Sequence, residues 1–111
     1  AVSYLEWYGL IMDDQRSIEA RKFRAQDAKQ LLENPLFVEA FKSLENALLS
    51  ASMTCEPDNK DKAQRIVISH QLLAGIKREI TRIVQDGNIA DVQLSEIEQK
   101  KQNVFQRAFR R

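Results

Sequence analysis

The sequence has few residues that turn the chain, with only three glycines and two prolines among 111 residues. Good helix formers, chiefly Leu, Ile, Ala, Glu, Gln, Lys and Arg, fill the long stretches between them. This scarcity argues against a sheet of short, closely turned strands. The sequence therefore predicts an all-α protein, and its length predicts a single domain over residues 1–111 with one modest core.

Cysteine and long apolar runs are also scarce. Cys55 is the only cysteine, so an intrachain disulfide is excluded and the composition is typical of a reducing compartment. The longest apolar run, around Leu5 to Met12, is interrupted by Glu6 and falls far short of the ~20 residues that a membrane helix needs. No basic segment precedes it, so we expect no signal peptide, no membrane partner and a cytoplasmic location.

Residue patterns that carry catalysis are missing as well. His70 is the only histidine and has no second histidine or cysteine near it in sequence to complete a metal site. The glycines are isolated, so no glycine-rich phosphate loop exists, and Asp13 and Asp14 are neighbours that point apart on a helix. Cys55 lies beside an acidic residue, which disfavours a reactive thiolate. We therefore predict no enzyme activity, no catalytic residue, no metal and no cofactor.

The clearest boundary is Asn34-Pro35, because proline disfavours helical geometry in the residue before it and suits the first helical position. A helix is predicted from there to about residue 53, followed by a loop around Pro57. A second helix is predicted over about 61–86, ending where Gly87 would supply a left-handed residue. The loop is too short for a parallel crossover, so the two helices should form an antiparallel hairpin.

Both predicted helices carry an apolar seam with a seven-residue repeat, as expected of helices packed lengthwise. The seam residues are Phe37, Phe41, Leu44, Leu48 and Ala51 in the first helix, and Ile66, Ser69, Leu73, Ile76, Ile80 and Ile83 in the second. This hairpin, with its connections, forms a predicted core over 34–87.

Further helices are predicted on either side of the hairpin. An N-terminal helical arm over 1–33 contains a new start at Asp13, Asp14 and Ser17. A connection follows the hairpin, and Ser95 with Glu98 forms a capping box that would start a basic C-terminal helix within 88–111.

The distribution of charge and aromatic residues suggests binding surfaces. The formal net charge is only +1, yet residues 96–111 carry five basic and two acidic side chains, whereas residues 34–59 carry one basic and four acidic. Aromatic residues beside arginines are typical of interfaces with proteins or nucleic acids. A basic end to the last helix is equally expected from favourable interaction with the helix dipole. Candidate partner-binding residues are Phe105, Phe109, Arg107, Arg110 and Arg111 at the C-terminal end, and Tyr4, Trp7 and Tyr8 at the N-terminal end. For the N-terminal cluster, packing onto the hairpin to complete its core is the favoured interpretation, and docking on another subunit is the alternative.

The stretch Leu31–Gly87 resembles small helical proteins encoded by tailed bacteriophages. The resemblance lies in Asn34-Pro35-Leu36-Phe37, in the following Glu39-Ala40-Phe41 and Leu44-Glu45, in Leu72-Leu73-Ala74-Gly75-Ile76-Lys77, and in the closing Ile83-Val84-Gln85-Asp86-Gly87. It implies a non-enzymatic virion component or assembly adaptor acting through protein–protein interfaces, in the host cytoplasm during assembly or in the virion. The alternative is a DNA-binding packaging accessory, similar to a small terminase, or a regulatory protein that binds nucleic acid through the basic C-terminal helix.

Overall fold

The computed structural model describes the backbone of residues 4–109 and the side chains of residues 6, 9, 12 and 14–109. Three helices account for nearly all of this part of the chain: α1 (Tyr4–Glu33), α2 (Pro35–Thr54) and α3 (Lys60–Phe109). No strand occurs among these residues. The all-α prediction is therefore confirmed.

The break between α1 and α2 follows from the local chemistry of Asn34 and Pro35. Asn34 is extended, with φ −68° and ψ 122°, as a residue before proline should be. Its side-chain oxygen accepts hydrogen bonds from the backbone N–H groups of Leu36 at 2.9 Å and Phe37 at 3.3 Å. Two otherwise unpaired donors of the first turn are thus satisfied, and α2 begins where the sequence predicts.

A five-residue connection, 55–59, separates α2 from α3. The backbone N–H of Asn59 donates to the carbonyl of Glu56 at 3.0 Å, which closes a turn around Pro57. The Asn59 side chain then accepts from the N–H of Lys62 at 3.2 Å and caps α3. Both ends of this loop lie within one residue of their predicted positions.

The chain divides into two compact units. The hairpin unit is Ala28–Arg82, in which α2 packs antiparallel against the first part of α3. The terminal unit consists of Ala1–Asp27 and Ile83–Arg111, which pairs α1 with the last part of α3. The assignment of the whole chain to a single domain stays a prediction.

Three predicted helix boundaries are wrong. α1 runs without a break through Asp13, Asp14 and Ser17, and Ser95 with Glu98 lies inside α3 and not at a helix start. The predicted end at residue 86 and the predicted connection after it are also helical, so the C-terminal helix is the continuation of α3. Continuous strings of good helix formers extend these helices across weak start signals, since each added residue completes another backbone hydrogen bond.

Gly87 explains why α3 does not end where its sequence suggests. It does not adopt a left-handed backbone, and it is buried in the middle of the helix. A β-carbon there would overlap the side chain of Ala25 in α1. Close packing of two helices therefore accounts for this glycine, and the contact outweighs its helix-breaking tendency of about 1 kcal/mol.

The hairpin seam lies largely where it is predicted, but most of its side chains are only half-buried. Leu73 is buried, while the other apolar seam residues in the hairpin unit are half-buried except for Leu44 and Ile76, which are more than half exposed. α2 has no buried residue. Two helices alone cannot enclose a core, so much of the apolar surface of this unit faces outward.

Candidate interaction surfaces

The described residues contain no group of three or more His, Cys, Asp or Glu side chains placed to hold a metal ion. His70 is exposed and lines a groove of the hairpin unit beside Leu73 and Lys77. Cys55 is half-buried at the end of α2, with its sulfur near the carbonyl oxygens of Glu56 at 3.6 Å and Asn59 at 3.8 Å. These contacts fit a structural role for Cys55 at the helix end.

None of the three helices, over the residues described, has an apolar stretch long enough to cross a bilayer.

Polar contacts fix the register of the terminal unit. The guanidinium of Arg21 on α1 donates to both carboxylate oxygens of Asp86 on α3, from Nε at 2.9 Å and from Nη2 at 2.6 Å. Its Nη1 donates to the side-chain oxygen of Gln93 at 2.8 Å. Asp86 and Gln93 are seven residues apart and therefore share one face of α3. The hydrogen bond to Asp86 is the main reason why the pKa of Arg21 is raised above its usual value.

Weaker contacts extend this pairing in both directions. Lys22 Nζ lies 3.0 Å from the carboxylate of Asp91, and Lys101 Nζ donates to the side-chain oxygen of Gln15 at 2.7 Å. Residue numbers fall along α1 as they rise along α3, so the two helices are antiparallel. Beside Arg21, Ala25 contacts Gly87, and Ala90 is completely buried. The contacts of Arg21 with Asp86 and Gln93 could not be predicted from the sequence, because no local pattern joins residues that are 65 or more positions apart.

The predicted C-terminal binding residues are partly brought together. The rings of Phe105 and Phe109 lie one turn apart on α3, with centroids separated by 4.5 Å, and the two side chains are 65% and 74% exposed. We call this pair the phenylalanine pair. Arg107 falls 200° around the helix from Phe105, at 100° per residue, and lines a different groove with Lys100 and Val104. The structure therefore separates the aromatic residues from this arginine.

The remaining predicted binding residues lie outside the part of the molecule whose side chains are described. Tyr4, Trp7 and Tyr8 belong to the α1 backbone, and their side chains are not among those described. Arg110 and Arg111 follow the last described residue. Their assignment to a binding surface stays a prediction.

A larger exposed apolar surface lies on the hairpin unit. Its members are Leu36, Ala40, Leu44 and Ala47 on α2, and Ile68, Leu72 and Ile76 on α3, and all of them are exposed. We call this set the hairpin face. On each helix the members recur at intervals of three or four residues and therefore form one stripe. Leu44 and Ile76 belong to the predicted seam and the other members lie beside it, but periodicity alone does not distinguish a core from an interface.

Helical geometry places both stripes on the same side of the hairpin. A groove on the opposite side is lined by Glu45 and Leu49 of α2 and by His70, Lys77 and Thr81 of α3. In both helices these groove residues lie on one side of the seam, and the members of the hairpin face lie on the other. The hairpin thus has one charged side, where Lys77 Nζ is 3.9 Å from Glu45, and one apolar side.

No protein-family model, no curated protein and no solved structure matches the chain.

Proposed function

We propose that this protein is a non-enzymatic assembly protein that acts through protein–protein interfaces. The observation that carries the proposal is the exposure of large apolar side chains on both units. Soluble monomers rarely expose continuous apolar patches beyond a few hundred Å², and larger ones usually mark interaction sites. The hairpin face exposes leucine and isoleucine side chains along one side of the hairpin unit, and the phenylalanine pair supplies apolar anchors in the terminal unit.

The phenylalanine pair suits an interface anchor. The two rings contact each other within the helix, so the pair presents one joined apolar surface. Two aromatic side chains that enter a partner's pocket commonly dominate the energy of an interface. Neighbouring Lys101 and Gln15 bind each other across the terminal unit, which holds this stretch of α3 against α1.

The narrower proposal is a structural or assembly protein of a tailed bacteriophage, present in the host cytoplasm during assembly and retained in the virion. It is supported by the resemblance of Leu31–Gly87 to small phage proteins, together with a surface suited to binding other proteins. An adaptor of this kind needs no active site, because its work is to hold larger components in register.

DNA binding is the second candidate, and the charge arrangement supports it less well. Several cations that a phosphate backbone would need already have carboxylate neighbours, as Lys77 has Glu45 and Lys22 has Asp91. Along the described part of the last segment, Lys100, Lys101 and Arg107 are offset by Glu96 and Glu98. A surface that contacts many phosphates needs a larger local excess of positive charge.

Mass spectrometry of gradient-purified virions of the encoding phage tests this proposal. We expect the chain in a fixed ratio to the major capsid protein. Replacing both Phe105 and Phe109 by alanine should lower its incorporation, whereas Phe23→Ala, which removes another exposed phenylalanine from the terminal unit, should not. A chain found in the lysate but absent from virions would contradict the virion assignment. Salt-dependent binding to duplex DNA by that same chain would then favour the packaging alternative.

A further inference from the structure

The hairpin face has a sequence pattern that is complementary to itself. On α3, its central residue is Leu72, with Ile68 four positions before and Ile76 four positions after. Their side chains are 65%, 46% and 52% exposed, respectively. The next charged residues on the same stripe are Arg65, seven positions before Leu72, and Glu79, seven positions after it. The stripe is therefore symmetric in spacing and opposite in charge about Leu72.

When two such stripes run antiparallel with the Leu72 residues opposed, each position n meets a position near 144 − n on the other copy. Arg65 then meets Glu79, and Ile68 meets Ile76. The charged residues seven positions to either side of Leu72 are thereby placed opposite residues of opposite sign.

We propose that two copies of this chain associate through the hairpin face, with their α3 helices antiparallel and Leu72 on the two-fold axis. This inference rests on the proposed function, since it names one partner of that face. Two hairpins joined in this way form a four-helix bundle around the level of Leu72, in which each hairpin covers the part of the other's apolar side that lies nearest the 55–59 loop. The interface is isologous, so each favourable contact occurs twice.

The α2 stripe is compatible with the same arrangement. The positions of α2 on this side of the hairpin carry no charge, and they read Leu36, Ala40, Ser43, Leu44, Ala47, Ser50 and Ala51. The part of this stripe near the level of Leu72, from Ala47 to Ala51, can be buried against a second copy without removing an ionised group from water. Ala47 and Ala51 flank Leu49, which lines the same groove as His70 and Leu73 and so lies roughly level with Leu72. Small residues at this level allow the two α2 helices to approach each other.

Charge also distinguishes this arrangement from a parallel one. A parallel pair in register would oppose Arg65 to Arg65 and Glu79 to Glu79, which is unfavourable at both ends. Within one chain, Glu79 accepts hydrogen bonds from Arg82 at 2.6 and 3.1 Å, but both side chains are more than half exposed. An exposed pair of this kind is weak, so Glu79 can share its carboxylate with Arg65 of a second copy at little cost.

Charge reversal at Arg65 and Glu79 tests the proposal, with the dissociation constant of the full chain measured by analytical ultracentrifugation. Arg65→Glu alone should weaken self-association on the order of tenfold, because two attractive pairs become two repulsive ones. Glu79→Arg alone should do the same. A mixture of the two single variants should form heterodimers near the wild-type affinity, since every cross-chain pair is again of opposite sign.

The double variant Arg65→Glu with Glu79→Arg is the matched control. It should also recover self-association, although it still lacks the intrachain pair of Glu79 with Arg82. Leu72→Ser should abolish the dimer, while Leu49→Ser on the opposite side of the hairpin should leave it intact. A wild-type chain that stays monomeric at high micromolar concentration, or single variants that associate normally, would overturn the inference. Either result would leave the virion test of the proposed function unaffected.

Discussion

Replacing Gly87 by alanine should destabilise the terminal unit, although the same change usually stabilises a helix. Gly87 is buried where α3 meets α1, and the added β-carbon would overlap the β-carbon of Ala25. It would also lie 3.6 Å from the Ala25 Cα and 3.9 Å from the carbonyl oxygen of Arg21, so backbone atoms stand close behind. No flexible side chain lies at this contact that could move aside, so the two helices must separate to admit the methyl group.

The magnitude follows from two opposing effects. Alanine favours the helical backbone over glycine by about 0.8–1 kcal/mol. Inserting a methyl group into a contact that cannot relax costs about 1–3 kcal/mol, and occasionally more. Helix separation would also lengthen the 2.6 and 2.9 Å hydrogen bonds between Arg21 and Asp86. We therefore expect a net loss of about 1–2 kcal/mol in the free energy of unfolding.

Gly75 provides a matched control in the same helix. A β-carbon at Gly75 has no atom within 4 Å, so Gly75→Ala should stabilise the chain by about 0.5–1 kcal/mol. Urea melts followed by circular dichroism at 222 nm would compare the two variants. A Gly87→Ala chain as stable as Gly75→Ala would refute the close packing of α1 on α3.

Three further substitutions test the local structure by the same urea melts. Leu73→Ala should lower the free energy of unfolding by about 2–5 kcal/mol, because it is a large-to-small change at a buried site. Leu49→Ala, at an exposed site, should lower it much less. Equal losses would contradict the assigned seam. Asn34→Ala should cost about 0.5–2 kcal/mol by removing the cap of α2, and Asn34→Asp should retain most of the stability; an unaffected alanine variant would mean that the cap is not needed. Arg21→Lys should lower the urea concentration at the unfolding midpoint, because lysine cannot bond both oxygens of Asp86 and also Gln93. Lys22→Gln, at a more exposed ion pair, should change this midpoint little. The reverse order would contradict the register of the two helices.

The hairpin could be predicted from sequence because its boundaries are set by neighbouring residues. Asn34 caps the helix that Pro35 begins, and Asn59 caps α3 after the turn at Pro57. These signals act within three or four residues, so they are visible in the sequence without knowledge of the fold.

The course of α3 beyond residue 86 could not be predicted in the same way. Asp86-Gly87-Asn88 has the composition of a helix end, but Asp86 is bound by Arg21 and Gly87 is packed against Ala25. Both partners lie on α1, more than 60 residues away in sequence. Packing between helices therefore determines whether α3 ends at residue 86 or continues. The seam prediction failed at Leu44 and Ile76 for a related reason. An apolar residue has the same periodicity whether its stripe faces a neighbour in the same chain or a partner.

The phenylalanine pair was predicted as a site from composition, and the i, i+4 spacing of its residues places the rings in contact. Arg107 was assigned to the same surface because it lies between them in sequence. The helical repeat instead turns it to another side. The exposure of the hairpin face could be recognised only from the three-dimensional structure, since burial of each stripe depends on which helices are available to cover it.

Oxidative cross-linking tests most directly whether the hairpin face is an interface between copies. In a Cys55→Ser background, which removes the chain's only cysteine, Leu72→Cys places one thiol per chain on the proposed two-fold axis. Mild oxidation should yield a covalent dimer on a non-reducing gel, while Leu49→Cys on the opposite side of the hairpin should remain monomeric under the same conditions. A Leu72→Cys chain that remains monomeric, or a Leu49→Cys chain that cross-links equally well, would contradict the proposed interface.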